Sequence, residues 1–471
     1  MARGRRSAAL GVSTVTIAMP LASRVPARRL GWLLAAVLPL GGCATYSAGF
    51  AAVETQLAAR NYEAALQALE NQSHAARDRV LYLLNKGMLL RMKRDYVASN
   101  EAFEAAKQLM EELYGLSLRE QALTFVINDA TTSYVGEEYE QVLVHLYKAL
   151  NYLDLRQLNA ARVEALQVDL KLRQFGERIP DNKYTEDAFA RYLTGLIYEE
   201  LGEWSDALIA YRKAYEAYLK YQKNYGLRVP RVLQEDLLRL AQRQGLIDEV
   251  ERYKRAFGIT QWRSAQERAE LGEIVLIVNS GLAPIKRESS AAVPDPNSGH
   301  IVRISLPYYE NRPAAITAAR LQAGEAQASA EPVEDIGAIA HQTLNAKLPA
   351  ITARAVARAA VKAAAAREAR KQAQNRSNGD SAAATLLAFA VEATTVLTER
   401  ADTRSWLTLP STIQLARLPL SPGTYTVRVE LLGSGSSAST VQEIRDVVVR
   451  KGHQTFLTQH VVLPAHLLPR R

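Results

Sequence analysis

The chain has 471 residues, 48% of them apolar, with a single cysteine and a formal net charge of +9 at pH 7. One cysteine excludes an intramolecular disulfide, so burial of apolar side chains has to stabilise the fold. The six arginines within the first 29 residues all precede that cysteine; the remaining 52 basic and 49 acidic residues are nearly balanced, which is not typical of a nucleic-acid-binding protein.

The N-terminus has the features of an export signal. Residues 1–42 carry six arginines and no acidic residue, and Leu30–Leu40 is an apolar run. As a helix this run reaches about 17 Å, which is too short for a bilayer core of about 30 Å. A basic segment followed by a short apolar run therefore predicts a signal peptide and not a transmembrane helix.

The end of this signal predicts a lipid anchor. The sequence "LGGC", which ends at Cys43, resembles the bacterial lipobox, in which the cysteine takes a diacylglycerol and becomes the mature N-terminus. Ala44 follows in place of aspartate, which by the same resemblance directs the protein to the outer membrane, where two or three acyl chains hold it. The alternative is a soluble export signal with an incidental cysteine. Met19 is a second candidate for the start of the chain, besides Met1.

Residues 43–260 are predicted to form an all-helical repeat domain. The window 188–218 resembles the tetratricopeptide repeat (TPR), because small and aromatic residues stand at the spacings of that repeat: Gly195, Tyr198, Gly202, Trp204, Ala207, Tyr211 and Ala214. Tyr62 and Tyr96 lie in the same phase, about 34 residues apart, which is the TPR period. The alternative is an irregular helical bundle.

Stacked helix pairs form a concave groove. In repeats of this kind the first helix of each pair lines the groove, which here places eight candidate peptide-binding residues: Leu84, Met88, Arg91, Leu146, Leu150, Tyr192, Leu196 and Glu199. Apolar side chains with one arginine and one glutamate suit an amphipathic peptide. The alternative is that the leucines pack under the next repeat or under the C-terminal region.

Residues 261–471 are predicted to form a mixed α/β module, so that the whole chain is α+β and multidomain. Strands are expected within 272–288, within 300–313 as far as Pro307, and within 314–324. Alternating apolar residues predict a further strand at Tyr425, Val427, Val429 and Leu431. The sequence "RKGHQ" is expected to connect a hairpin. These strands indicate a small β-sandwich or half-barrel.

A helical insert is predicted at about 334–400. Residues 334–349 precede an Ala-rich helix at 350–374, and residues 381–400 are expected to be its hairpin partner. Three cations repeat every four residues on the Ala-rich helix: Arg354, Arg358 and Lys362. They are either a basic face for phospholipid or an acidic partner, or a solvated helix face.

The stretch "ERADTRSWLTLPSTI" contains the candidate contact site of the C-terminal module. If the stretch is extended, Asp402, Arg404 and Trp406 share a face. An Asp/Arg pair beside an indole is a candidate ligand site. The alternative is a structural clasp between the insert and the sandwich.

No pattern of catalytic residues is found. The cysteine is acylated in this interpretation, the seven histidines are scattered, and neither a phosphate-binding loop nor a G-x-S-x-G sequence occurs. We therefore expect no enzymatic activity, no metal and no cofactor.

Several sequences together resemble a family of Gram-negative TPR-like lipoproteins: the lipobox, "YVGEEYEQVLVHLYKALNYL", "EDAFARYLTGLIYEE", "DALIAYRKAYEAY", "GEIVLIVNSGLAPIK" and "ADTRSWLTLP". The resemblance covers nearly the whole mature chain. It implies a location near lipoproteins of cell-wall synthesis, including activators of penicillin-binding proteins.

The expected function is that of a scaffold. A lipid-anchored lipoprotein on the periplasmic face of the outer membrane would present its TPR-like groove to envelope proteins. The alternative is a cell-wall factor that binds peptidoglycan or another ligand through the C-terminal module.

Overall fold

The computed structural model describes residues 46–72, 75–124, 132–178, 184–294, 301–312, 316–376, 400–433 and 439–462. The export signal with Cys43, and residues 377–399 of the predicted insert, lie outside these ranges. The chain from Thr45 to Arg471 forms one compact unit.

Helices make up the first half of the described chain. Their bounds are α1 Tyr46–Gly49, α2 Ala51–Ala58, α3 Tyr62–Glu70, α4 Arg79–Met92, α5 Tyr96–Thr124, α6 Glu138–Asp154, α7 Leu158–Arg178, α8 Ala188–Glu200, α9 Trp204–Tyr225, α10 Arg231–Arg243, α11 Ile247–Phe257 and α12 Ala265–Glu270.

Five helix pairs share one type of turn, which joins α2 to α3, α4 to α5, α6 to α7, α8 to α9 and α10 to α11. Each turn has one residue at positive φ: Arg60, Arg94, Arg156, Gly202 and Gly245. The N–H of that residue donates to the carbonyl three residues earlier, and the next N–H donates to the carbonyl five residues earlier. This pair of hydrogen bonds is the Schellman motif, which satisfies carbonyls at a helix C-terminus.

Close helix contacts repeat with the turns. A Cβ added to Gly195 of α8 would lie 2.2 Å from the ring of Tyr211 in α9, and one added to Gly87 of α4 would lie 2.5 Å from Phe103 in α5. Both glycines let an aromatic ring of the second helix pack on the backbone of the first. The first half is therefore a TPR-like stack of helix pairs, as the sequence predicted.

Strands make up most of the second half. Their bounds are β1 Gly272–Ser280, β2 Ile285–Pro294, β3 Ile301–Glu310, β4 Ile316–Ala323, β5 Ala326–Ser329, β6 Glu331–Asp335, β7 Thr412–Leu420, β8 Gly423–Gly433, β9 Ser439–Val449 and β10 Gln454–Val461. They form two four-stranded sheets, in the orders β10-β1-β7-β6 and β5-β4-β8-β9, and a β2–β3 hairpin. We call the first of these the inner sheet and the second the outer sheet.

Two expectations about the strands are wrong. Strand β3 continues through Pro307 to Glu310, because β3 pairs with β2 alone in its sheet, and a proline is tolerated on an edge strand. The sequence "RKGHQ" does not close a hairpin, since it leads from β9 of the outer sheet to β10, which pairs in parallel with β1 of the inner sheet.

The inner sheet lies between the helices and the outer sheet. Val275 and Ile277 of β1 belong to a core shared with the helical array, whereas Ile274 and Leu276 belong to a second core shared with the outer sheet. Both faces of β1 are therefore covered, and all nine of its residues are buried. This explains why its sequence is a continuous apolar run and not an alternating one.

The insert begins with one long helix, α13, at Ile336–Arg376. The helix does not stop at the predicted junction between 349 and 350, although Pro349 lies inside it. The three cations are not on a uniformly solvated face, because Arg354 is exposed but Arg358 is buried.

Candidate functional site

The predicted peptide groove is filled by the chain's own strands. All eight residues expected to line it are buried: Leu84, Met88, Arg91, Leu146, Leu150, Tyr192, Leu196 and Glu199. Hydrogen bonds cross from the helices to the inner sheet, from Tyr147 Oη to Asn279 Oδ1 at 3.1 Å and from Tyr218 Oη to the Val333 carbonyl at 2.9 Å. These eight residues thus pack under the C-terminal region, which was the alternative to an open groove.

The segment with Trp406 also enters the helical array. The Trp406 ring is buried at edge-to-face distances of 5.7 Å from Phe103 and 6.0 Å from Tyr147. Its backbone N–H donates to Glu140 of α6 at 2.7 Å, and the Thr408 N–H donates to Asn85 of α4 at 3.1 Å. A segment of the chain itself, without regular secondary structure, therefore packs against the inner face of the repeats.

Arg404 also holds the segment with Trp406 against the helical half. Its guanidinium contacts Asp402 at 2.8 Å, Asp78 at 3.1 Å and the Thr132 carbonyl at 2.8 Å. The predicted site Asp402, Arg404 and Trp406 is thus a structural clasp, but it holds the second half to the helices and not the insert to the sandwich. Arg404 and Trp406 are buried, and their polar groups are held by these partners.

A ring of alternating charges joins the helical array to the inner sheet. In order around the ring stand Arg417, Asp236, Arg239, Glu199, Arg268 and Glu273. Two come from the strands β7 and β1, and four come from α10, α8 and α12. We call this set the charge ring. All members but the half-buried Arg268 are buried.

The arginines of the charge ring favour the ionised form of Glu273. Arg239 contacts Asp236 and Glu199 at 2.7 Å each, and Arg417 contacts Glu273 at 2.6 Å. Burial opposes ionisation of Glu273, but the positive charges of Arg268 and Arg417 lower its pKa to about 2. Since the ion pairs of the ring link the helices to strands β1 and β7, we assign the ring the role of positioning the two halves.

Two other buried carboxyls are held by neutral donors. Burial and the charge of Glu137 raise the pKa of Glu140 to about 7, although its carboxylate accepts hydrogen bonds from Tyr134 Oη at 2.5 Å and from the Trp406 N–H. Burial and the neighbouring Asp187 raise the pKa of Glu334 well above its usual value. Glu140 of α6 contacts the Trp406 segment, and Glu334 of β6 accepts from the Phe189 N–H of α8, so their protonation is linked to the packing of the two halves.

The outward face of the repeats carries exposed aliphatic side chains. Val163, Leu166 and Leu170 of α7 and Ile209 of α9 are each about half exposed, between 43% and 52%. Leu166 and Ile209 border a pocket of about 200 Å³ between α7, α8 and α9. We call these four residues the outer patch. Sequence analysis missed it, because an exposed aliphatic residue looks like a core residue until the packing is known.

The described ranges contain no cluster of three His, Cys, Asp or Glu side chains that could hold a metal ion. In the same ranges, no helix has the length and hydropathy needed to cross a membrane.

Comparison with known proteins gives distant structural neighbours. No family model matches the chain, and no curated protein matches it. Solved structures similar to it include the MamA protein, with 13% identity, a TM-score of 0.28, and coverage of 46% of this chain and 97% of that one. Another is the Rap conjugation gene regulator of plasmid pLS20 in complex with the Phr* peptide, with 14% identity, a TM-score of 0.28, and coverage of 45% and 53%. A second MamA structure, from AMB-1, has 15% identity, a TM-score of 0.26, and coverage of 46% and 93%.

Proposed function

We propose that the protein is a non-enzymatic scaffold, anchored by lipid on Cys43 to the periplasmic face of the outer membrane, that binds an envelope protein through the outer patch. The lipobox-like sequence supports the anchor. Only residues 44 and 45 separate Cys43 from α1, so an acyl group there would keep the start of α1 within about 10 Å of the bilayer surface.

The outer patch is the observation that carries the binding role. The inner face of the repeats is covered by the chain's own strands, so a partner that binds the repeats would contact their outward helices. Val163, Leu166 and Leu170 follow one another at helical spacing on one exposed side of α7, and Leu166 and Ile209 line the same pocket. Exposed apolar patches with a polar border are typical of protein interaction sites.

The charges around the outer patch indicate which kind of partner segment fits it. Three cations share the carboxylate of Asp169: Arg191, Lys213 at 2.9 Å and Arg173 at 3.6 Å. Lys213 and Arg173 are themselves largely exposed, so they remain available to a negative group. The partner segment that fits is an amphipathic stretch with aliphatic side chains and at least one acidic residue next to them.

The test is site-specific photo-crosslinking in intact cells. A photoreactive residue at Leu166 or Ile209 is expected to capture one and the same envelope protein, and Leu170→Glu should abolish the capture. Val441, which is equally exposed on β9, is the matched control position and should capture nothing specific. The same set of abundant outer-membrane proteins at all three positions would contradict the proposal.

The anchor has its own test. Cys43→Ser should move the protein from the membrane fraction to the soluble periplasmic fraction, and the intact mass of the native mature protein should include a diacylglycerol and an N-terminal acyl chain. A mature mass without acyl chains would refute the anchor and leave the outer patch to be judged by the crosslinks alone.

A further inference from the structure

A second pocket lies at the other end of the repeats, where the first two helix turns meet strands β9 and β10. Its volume is about 190 Å³, and its lining includes Arg60, Tyr62, Arg91, Arg94, Tyr96 and His460. Three of these side chains are guanidinium groups, and none is a carboxylate. We call it the arginine pocket.

Arg91 forms the buried wall of the pocket and has N–H groups without a hydrogen-bond partner among the described residues. Arg91 is 1% exposed, and its Nη1 contacts Asn151 Oδ1 at 2.5 Å and Asp154 at 3.0 Å. Its Nε and Nη2 are buried and have no hydrogen-bond partner among the described residues. These two N–H groups lie on the same edge of the guanidinium plane, which is the edge that binds two oxygens of one oxyanion.

A neutral histidine faces the same space. Burial and the charge of Arg91 lower the pKa of His460 well below its usual value, so the ring is uncharged at neutral pH. Its buried Nε2 has no partner among the described residues. Buried polar atoms in proteins usually have a hydrogen-bond partner, so two such side chains at one pocket point to a ligand that completes their hydrogen bonds.

Two copies of one short sequence pattern, Arg-x-Tyr, line the mouth of the pocket. Arg60-Asn61-Tyr62 and Arg94-Asp95-Tyr96 occupy the same place in the first two Schellman turns, and each supplies one guanidinium and one phenol. Arg60 and Arg94 are at positive φ, where Gly202 and Gly245 stand in later turns. The turn itself does not require arginine, so the two side chains are available for another role.

The charges select the ligand. Of the three arginines, Arg91 forms an ion pair with Asp154, and the described residues include no ion-pair partner of Arg60 or Arg94. Three positive charges against one negative charge leave a surplus of two, which matches a dianionic phosphate monoester better than a monoanionic carboxylate.

We propose that the arginine pocket is a binding site for a phosphate monoester group, gripped by the free edge of Arg91 and neutralised by Arg60 and Arg94. Such a group is found on a lipid headgroup and on small soluble phosphate esters. The site is separate from the outer patch and does not depend on the scaffold proposal.

Inorganic phosphate is the probe. It is titrated at constant ionic strength into the full mature chain carrying Cys43→Ser, with calorimetry as the readout. We expect saturable binding, weakened at least about tenfold by Arg94→Asn or by Arg60→Asn because each removes one charge from the site. Arg156→Asn is the matched control, since Arg156 has the same turn geometry but does not line the pocket. Asparagine tolerates positive φ, so all three variants should keep the fold.

A further variant tests the two-donor edge of Arg91 separately from its charge. Arg91→Lys keeps the positive charge but loses the two-donor edge, and it should weaken phosphate binding more than Arg94→Asn does. If Arg91→Lys fails to fold, the surface variants still decide the matter. Absence of saturable phosphate binding to the folded wild-type chain, or an equal loss in Arg156→Asn, would overturn the proposal.

Vesicles identify the source of the phosphate. Phosphatidylcholine vesicles with phosphatidic acid should recruit the chain through Arg94 if the ligand is a lipid headgroup, and vesicles without phosphatidic acid should not. If inorganic phosphate binds and neither kind of vesicle recruits the chain, the site serves a soluble phosphate ester.

Discussion

Replacing Arg417 by methionine tests the charge ring. Methionine keeps most of the length of the side chain but removes the positive charge from buried Asp236 and Glu273. Breaking a buried ion pair by removing one partner costs about 3–5 kcal/mol. Asp236 retains Arg239 at 2.7 Å and Glu273 retains Arg268, so we expect the lower end, a loss of about 3 kcal/mol in the free energy of unfolding.

The assay is urea unfolding of the soluble mature chain at pH 7, with Arg428→Met as the matched control. Arg428 pairs with Glu443 on the surface, where its side chain is 58% exposed, so its loss should change the free energy of unfolding by less than about 1 kcal/mol. If Arg417→Met and Arg428→Met lose the same small amount, the charge ring does not hold the two halves together.

The pH dependence of this effect has a definite sign. The pKa of Glu273 is lowered to about 2 in the folded chain, so the folded state binds fewer protons than the unfolded state between pH 2 and about 4.3. The stabilisation by the ring is therefore complete above that window and is lost as the pH falls through it. Arg417→Met should flatten this part of the stability profile.

Two further changes test the packing. Gly195→Ala places a Cβ 2.2 Å from the Tyr211 ring and should lower the free energy of unfolding by about 1–3 kcal/mol, whereas Gly176→Ala, with no atom within 4 Å, should not destabilise; thermal unfolding of both variants checks this. Burial and Asp187 raise the pKa of Glu334, so its stabilising contribution is present at low pH and is lost as the pH rises through the folded pKa. Glu334→Gln should thus lose less stability than wild type between pH 5 and pH 8 in urea titrations, and an unchanged loss would contradict the shifted pKa.

Local features of the fold are readable from the sequence. The TPR-like spacing of small and aromatic residues in 188–218 predicted a helix pair, and the structure contains it, with Gly195 packed against the Tyr211 ring. The apolar run of β1 predicted a buried strand, which the structure contains. Such features depend on neighbours within one or two helical turns or one strand, so the order of residue types is sufficient to predict them.

The sequence did not show which face of the helices packs against which strands. The inner face of the helices is apolar both in an open groove and in a covered one, and β10 pairs in parallel with β1 although about 180 residues separate them. Burial of the Trp406 segment against Glu140 and Asn85 depends equally on long-range pairing. One signal was present: Glu273 and Arg417 lie inside apolar strands, and charges there are usually paired when buried.

The central claim is that the strands cover the inner face of the repeats, which is the premise of the proposed binding at the outer patch. Trp204→Phe and Trp262→Phe leave Trp406 as the single tryptophan of the mature chain, and its ring lies between helices and strands. Urea unfolding is monitored on the same samples by Trp406 fluorescence and by the circular dichroism of the helices. We expect the folded chain to show blue-shifted Trp406 emission, and the two signals to change in one coincident transition. If Trp406 becomes exposed to water at a urea concentration at which the helices remain folded, the inner face opens independently and the account is contradicted.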